Sequence, residues 1–420
     1  MKITILNGSS TPGAFDTYLA QLHSALAASG HAVTQIDLRD IPLRYCVGCF
    51  GCWVKTPGQC VSRDASLAMD RAVIQSDFTL WAAPLKMGFP DVLLKMALDK
   101  HLPLIMPYID VVNHEAHHQR RYPRSPRVGL LVAPEPGTDA RDLQIVTDIF
   151  TRTALNFRSC LEFSLTTATS AADLAERFAS VHPVRLPLPA RLPAATGVAI
   201  APPSRLVVFN GSPRGRRGNT PLMLEQFAAG FARPVETYHL VRLHETEDML
   251  QAFANAECVL LGFPLYTDAM PGVVKRFIEA LAPLVDRPAN PPLAFLVQSG
   301  FPEASHSRYV ERYLEKLAAR LHSPYLGAIV KGGGEGVRSM PPEMNRALFA
   351  NLSALGAGLA ATGRLDPALL RAFARPEHYP AILGPLFQIF LRLPLARAYF
   401  DGQMKQNGAY ERRFARPFEA

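Results

Sequence analysis

One motif, written twice, constrains this chain more than any other feature. It reads Asn7-Gly8-Ser9-Ser10 followed by Asp16-Thr17, and again Asn210-Gly211-Ser212-Pro213 followed by Asn219-Thr220. The interval from Asn to Thr is ten residues both times. Each copy follows a short apolar run and precedes an amphipathic stretch of helical period. A second pair comes in the same order, Pro84-Leu85-Lys86 and Pro264-Leu265-Tyr266, with a lysine eleven residues after each proline, Lys95 and Lys275. Two motifs in one order with equal internal spacing mark an internal repeat.

The offsets carry more. The first motif is shifted by 203 residues (210 minus 7) and the second by 180 (264 minus 84), so the first half holds 23 extra residues between its motifs. The rest of each half alternates strands with helices. Periodicity predicts strands over 2–7, 32–38, 77–83 and 127–133, and helices over 16–29, 91–100 and 139–157. In the second half it predicts strands over 205–209, 235–240, 257–262, 293–297 and 325–331, and helices over 272–281 and 305–321. Such alternation implies a parallel sheet covered on both faces. At 420 residues the chain has room for two such domains. The expected division is a first domain over 1–180, a proline-rich linker over 181–204, a second domain over 205–365 and a helical C-terminal extension over 366–420.

Charge and termini exclude other classes. The formal charge is +8, but the basic residues are dispersed, which argues against a nucleic-acid surface. The N-terminus enters a strand directly, so no signal peptide is expected. The apolar run 381–400 is broken by Pro385, Arg392, Pro394 and Arg397; it reads as a docked helical tail rather than a span or a membrane-surface segment. A cytoplasmic location is the expectation.

A glycine loop between a strand and a helix N-terminus is a natural anion site, because backbone N–H groups and the helix dipole converge there. The second-half loop offers Ser212, Arg214, Gly218, Asn219 and Thr220 with two further arginines. The first-half loop offers Ser9, Ser10, Thr11 and Thr17 but no arginine, and Asp16 stands where Asn219 stands later. The second half is therefore the expected phosphate site, with the first degenerate or binding in another way. In a doubly wound sheet the remaining contacts come from loops after the third and fourth strands. These are Pro264, Leu265, Tyr266 and Thr267, then Ser299 and Gly300; Lys86 replaces Tyr266 in the first half.

Four of six cysteines fall in the 23-residue surplus, Cys46, Cys49, Cys52 and Cys60, spaced C-x2-C-x2-C-x7-C. Cys₄ at this spacing suits a [4Fe–4S] cluster; structural zinc, free thiols or a regulatory disulfide are the alternatives. Cys160 and Cys258 read as core residues. His114, Glu115, His117 and His118 read as a solvated loop or a lid, with a metal site as the sharper alternative. The run 331–336, rich in glycine, reads as a flap or a plain connection.

These loops and cysteines resemble the NAD(P)H-dependent FMN reductase and iron–sulfur flavoprotein families. The resemblance covers most of 1–180 and 205–365. It implies two tandem flavodoxin-like doubly wound parallel sheets of strand order 2-1-3-4-5, FMN on the second-half loops, and a [4Fe–4S] cluster on the four cysteines. It further implies an oxidoreductase that passes electrons from NAD(P)H or a reduced iron–sulfur partner to a quinone, nitro compound, metal ion or protein such as a ferredoxin. The family carries cluster and flavin loop in one domain, whereas here they are divided; a homodimer, or the two halves facing each other, would reunite them. The competing expectations are a non-catalytic binding module with regulatory cysteines, and an FMN electron carrier.

Overall fold

The computed structural model describes residues 1–178, 185–378, 389, 391 and 393–419. They form two units, Met1–Ala190 with Ala381–Ala420, and Arg191–Pro380. The division falls inside the proline-rich stretch, of which 181–184 lie outside the described residues. The remainder of that stretch carries no helix or strand.

The first unit runs β1 (Lys2–Asn7), α1 (Ala14–Ala28), β2 (Ala32–Asp37), α2 (Gly51–Val54), α3 (Ser66–Ile74), β3 (Phe78–Lys86), β4 (Phe89–Pro90), α4 (Val92–Lys100), β5 (Ile105–Val112), β6 (Glu115–Arg120), β7 (Arg127–Ala133), α5 (Ala140–Asn156), β8 (Leu161–Thr166) and α6 (Ala171–Arg177). Its main sheet has the order β2-β1-β3-β7-β8, all parallel. The second unit runs β9 (Leu206–Asn210), α7 (Asn219–Phe231), β10 (Val235–His239), α8 (Thr246–Ala254), β11 (Val259–Pro264), α9 (Gly272–Ala280), β12 (Leu293–Gln298), α10 (Arg308–Arg320), β13 (Tyr325–Lys331), α11 (Pro342–Thr362) and α12 (Pro367–Phe373). Its parallel sheet has the order β10-β9-β11-β12-β13. Both are the 2-1-3-4-5 doubly wound arrangement.

Central strands β9, β11 and β12 are buried at every residue, as parallel strands covered on both faces must be, whereas edge strand β10 is half solvated. Helix α1 buries Phe15, Leu19, Leu22 and Leu26, one stripe at helical spacing. Helices α7 and α11 cross at backbone contact: a Cβ on Gly356 would lie 2.1 Å from the Phe227 carbonyl oxygen. Gly356→Ala is therefore expected to destabilise the second unit by about 1–3 kcal/mol in denaturant titrations. Gly358→Ala, two residues on, has room and is expected to be neutral or stabilising by up to about 1 kcal/mol.

The sequence reading of 114–118 as a solvated loop needs correction. The segment is an antiparallel hairpin, β5–β6, turned by Asn113 and His114, both with positive φ. Glu115 and His117 point inward, to Arg152 (2.8 Å) and Asn156 (2.7 Å) on α5. Polar residues at the buried positions hid the strand alternation.

The apolar run is only partly described, since 381–388, 390 and 392 lie outside the described residues. The tail helix Pro394–Gln406 belongs to the first unit, and α12 packs Phe373 into the core of the second. Met404 and Phe400 of the tail join Trp53 and Val54 of α2 with Ile105, Met106 and Tyr108 of β5 in one apolar cluster. The Tyr108 hydroxyl donates to Asp401 (2.6 Å). Among the described residues no helix is long and apolar enough to cross a membrane.

Candidate functional site

The spacing of the two units persists in three dimensions. The turn after β3 (86–89) and the turn after β11 (266–269) stand 180 residues apart, and α4 and α9 share that offset at both ends (92 to 272, 100 to 280). Both turns adopt positive φ at their central residues, Met87 and Gly88 in one, Thr267 and Asp268 in the other. The loops at the carboxyl ends of the strands can thus be compared position by position.

In the first unit this edge is filled by the chain's own carboxylates. Asp91 accepts from the Ser10 backbone N–H (3.2 Å) and holds Lys86 Nζ (2.8 Å). Lys86 also donates to the Ser10 hydroxyl (2.5 Å). Asp16 accepts from the Gly13 N–H (2.8 Å) and pairs with Arg39 (2.7 Å). Glu135, after β7, accepts from the N–H groups of Met87 (2.9 Å) and Gly88 (2.5 Å). Ser9 turns its hydroxyl to the Thr11 carbonyl, and Thr17 is exposed. Burial opposes ionisation of Asp16, but hydrogen bonds from Arg39, Asn7 and Gly13 hold its carboxyl below the usual range. Donors and cations that an anion would need are occupied by Asp16, Asp91 and Glu135. The sequence contained no arginine in the loop itself; Arg39 arrives from the far end of β2.

The second unit differs at each of these points. Helix α7 begins at Gly218 without a side-chain cap. The Thr220 hydroxyl, in its first turn, is buried and has no hydrogen-bond partner. Ser212 lies against Gly218 so closely that a Cβ there would sit 2.1 Å from the Ser212 Oγ, which requires glycine. Arg214 pairs with Glu335 (2.8 Å). Asn219 is engaged within the protein: its amide donates to the Glu335 carbonyl (2.7 Å) and its oxygen accepts from the Arg338 N–H (3.1 Å). Arg338 also donates to the carbonyls of Arg216 and Gly218, both at 3.0 Å. The glycine-rich run after β13, expected as a flap or a plain connection, thus brings Glu335 and Arg338 onto the anion loop. Glu335 and Arg338 escaped the sequence reading because more than 115 residues separate them from the loop.

The remaining predicted contacts lie on the same sheet edge. Pro264 ends β11, and the Leu265 N–H donates to the Gln298 carbonyl (2.7 Å). Half-buried Tyr266 and fully buried Ala269 close the turn with reciprocal backbone bonds of 2.9 and 3.0 Å around Thr267 and Asp268. Two non-glycine residues with positive φ in succession are strained, a feature of binding loops held by their surroundings. Ser299 donates its hydroxyl to the Phe301 carbonyl (3.1 Å), and Gly300 is exposed. Burial and the charges of Arg216 and Arg242 hold the His239 imidazole below its usual range.

The cysteines do not form the expected ligand set. Among the described residues no group of three or more His, Cys, Asp or Glu side chains is placed to hold a metal ion, which applies equally to 114–118. Cys52 faces the apolar cluster beside Trp53, and Cys49 is exposed. Cys60 Sγ lies 3.2 Å from the ammonium of Lys100, a cation where a cluster would need a metal. These contacts lend no support to a [4Fe–4S] group, although Cys46, Cys60 and Cys49 all act electrostatically on Cys52. Cys258 is a core residue of the second unit, and Cys160 is half-buried.

Lys100 also pairs with Asp64 (2.8 Å). Burial opposes ionisation of Asp64, but Lys100, Ser66 and the Arg44 N–H lower its pKa to about 2. A carboxyl depressed on folding adds stability that is fully present above its ordinary range and is lost as pH falls through the folded value. Thermal melts of the first unit are thus expected to fall between about pH 4 and pH 2. Asp64→Asn is expected to flatten that dependence.

No family model and no curated protein matches the chain. Solved structures do. An FMN-dependent NADH-azoreductase from Bacillus anthracis str. Ames Ancestor, in complex with FMN, is 11% identical, with 37% of this chain and 99% of that one covered at a TM-score of 0.31. An NADPH-quinone reductase from P. pentosaceus is 16% identical, covering 36% and 94% at 0.30. The Trp repressor binding protein from Bacillus subtilis is 16% identical, covering 37% and 96% at 0.29.

Proposed function

We propose that the second unit binds FMN, phosphate on the 211–220 loop, and that the chain is an FMN-dependent oxidoreductase. The observation that carries this reading is the buried, unpartnered Thr220 hydroxyl at the uncapped start of α7, at the end of the loop that holds Arg214. A buried hydroxyl without a partner costs about 1–3 kcal/mol, and a phosphate oxygen would satisfy it. Ser212, the Gly218 backbone and Arg214 would complete the phosphate contacts. Pro264, Leu265, Tyr266, Thr267, Ser299 and Gly300 would line the ring system, with Tyr266 flanking it. FMN, when bound, accepts a hydride and releases electrons singly. What the chain supplies is position and positive charge from Arg214, Arg216 and Arg338. Electron donors of the NAD(P)H class and a small acceptor such as a quinone or nitro compound fit this reading.

We also infer that the units are copies of one ancestor, and that the first has lost its flavin site. Its three carboxylates would meet a dianionic phosphate with repulsion. The test is the absorbance spectrum and flavin content of the purified chain. Bound FMN near one equivalent, unchanged by Lys86→Ala, supports the reading; a colourless chain that does not take up FMN refutes it. Stopped-flow reduction by NADPH separates a reductase from an electron carrier.

A further inference from the structure

Helices α3 and α8 stand 180 residues apart at both ends (66 to 246, 74 to 254), as α4 and α9 do. The residues from α3 to the end of α4 can therefore be matched one by one with those from α8 to the end of α9. Four polar residues of the first unit fall on apolar residues of the second. Asp70 is matched by Leu250, Ser76 by Ala256, Thr79 by Val259, and His101, just after α4, by Leu281. The fold accepts carbon at each of these positions. In the first unit all four polar side chains are buried, Asp70 completely and His101 at 2% exposure.

These residues surround one cleft. Asp70 Oδ1 and His101 Nδ1 are 2.7 Å apart, and the hydroxyls of Ser76 and Thr79 are 3.2 Å apart. Two atoms are left over: His101 Nε2 and Asp70 Oδ2 are buried without a hydrogen-bond partner. His101 and Thr79 are walls of the cleft, together with apolar Trp81, Leu104, Val128 and Phe157. Asp70 is not part of the wall; it takes Nδ1, which leaves Nε2 as the remaining polar atom of the ring. The interior measures about 30 Å³, room for a hydroxyl head and its first carbon but not for a flavin or a nucleotide. Thr79 and Val128 are the second residues of β3 and β7, so the cleft lies at the amino ends of the strands, the edge opposite the glycine loops.

An imidazole whose Nδ1–H donates to a carboxylate offers Nε2 as an acceptor. The group that would satisfy it is a hydrogen-bond donor. An anion would meet Asp70 with repulsion. We propose that the cleft is a binding site for a small neutral hydroxyl compound of the phenol class. Its O–H donates to His101 Nε2, and its carbon skeleton lies against Trp81 and Phe157. Asp70 holds the imidazole in the accepting tautomer. The site stands apart from the flavin edge and does not rest on the FMN reading.

The experiment titrates the full chain with para-fluorophenol, followed by fluorine NMR, with para-fluorotoluene as the control that lacks the donor. Saturable binding of para-fluorophenol at one site per chain is expected. The double change Asp70→Leu with His101→Leu installs the residues of the second unit. It should bind para-fluorophenol about threefold to tenfold more weakly and para-fluorotoluene as well as before or better. Should that variant fail to fold, by circular dichroism, the imidazole nitrogen resonances of His101 in the unaltered chain provide the second measurement. They should shift with para-fluorophenol and stay in place with para-fluorotoluene. Equal affinity for para-fluorophenol in the unaltered chain and the double variant overturns the proposal. So does the absence of saturable binding to the unaltered chain, which would make the cleft a water site only. Flavin content, measured on the same samples, should be the same in both, which distinguishes failure here from failure of the FMN reading.

Discussion

Arg214→Ala is expected to weaken FMN binding by about 10- to 100-fold, because a hydrogen bond to a charged group contributes about 1.5–3 kcal/mol and each 1.4 kcal/mol is tenfold. Glu335→Gln is expected to act in the opposite sense. Glu335 holds Arg214 at 2.8 Å, so it competes with a phosphate for the same guanidinium. Removing its charge leaves the backbone carbonyl that receives Asn219 intact. Fluorescence titration of flavin-free protein reads both. Tighter binding in Glu335→Gln together with weaker binding in Arg214→Ala identifies the loop. If Arg214→Ala binds normally while Lys86→Ala in the first unit does not, the flavin has been assigned to the wrong unit.

The second large effect is on stability. Lys95 forms an i,i+4 ion pair with Asp99, both almost fully buried, and Lys275 forms one with Glu279 (2.7 Å) at the same place in the other unit. Lys95→Met leaves Asp99 buried without its ammonium and is expected to destabilise the first unit by about 3–5 kcal/mol. The double change Lys95→Met with Asp99→Leu is expected to recover most of that loss, since a buried pair replaced by apolar groups is often neutral. Lys275→Met should cost less, about 1–3 kcal/mol, because the Glu279 side chain is 14% exposed and keeps some of its water. Urea unfolding followed separately for each unit checks the difference. Equal losses at both sites would mean that hydration of Glu279 contributes nothing.

Much of this architecture is legible in the sequence alone. The apolar runs that became β7 and β13 end at the residues predicted for them, 127–133 and 325–331. The equal spacing of the glycine loops and of the later lysines anticipated the correspondence of α4 with α9. Parallel strands buried on both faces and amphipathic helices write their periods into adjacent residues, so local reading finds them. The hairpin 105–120 escaped because its inward positions carry glutamate and histidine. Those polar groups are satisfied by Arg152 and Asn156, which a period of apolar residues cannot reveal.

The sequence by itself determined that there are two doubly wound sheets and that each has a glycine loop at a helix start. It also located the asymmetry between the halves, in Asp16, Lys86 and the cysteine segment. Only the tertiary structure decided what each loop can hold. In the first unit the loop's donors are taken by Asp91 and its cation by Asp16, while Glu135 fills the neighbouring turn. In the second, Thr220 stays unpartnered and Arg214 answers to Glu335, 121 residues away. Tertiary structure likewise set Lys100 against Cys60 where spacing suggested a metal cluster. The reason is one of range. Backbone hydrogen bonds and hydrophobic periods act between near neighbours in the chain, whereas the charge balance of a site is set by side chains that only folding brings together.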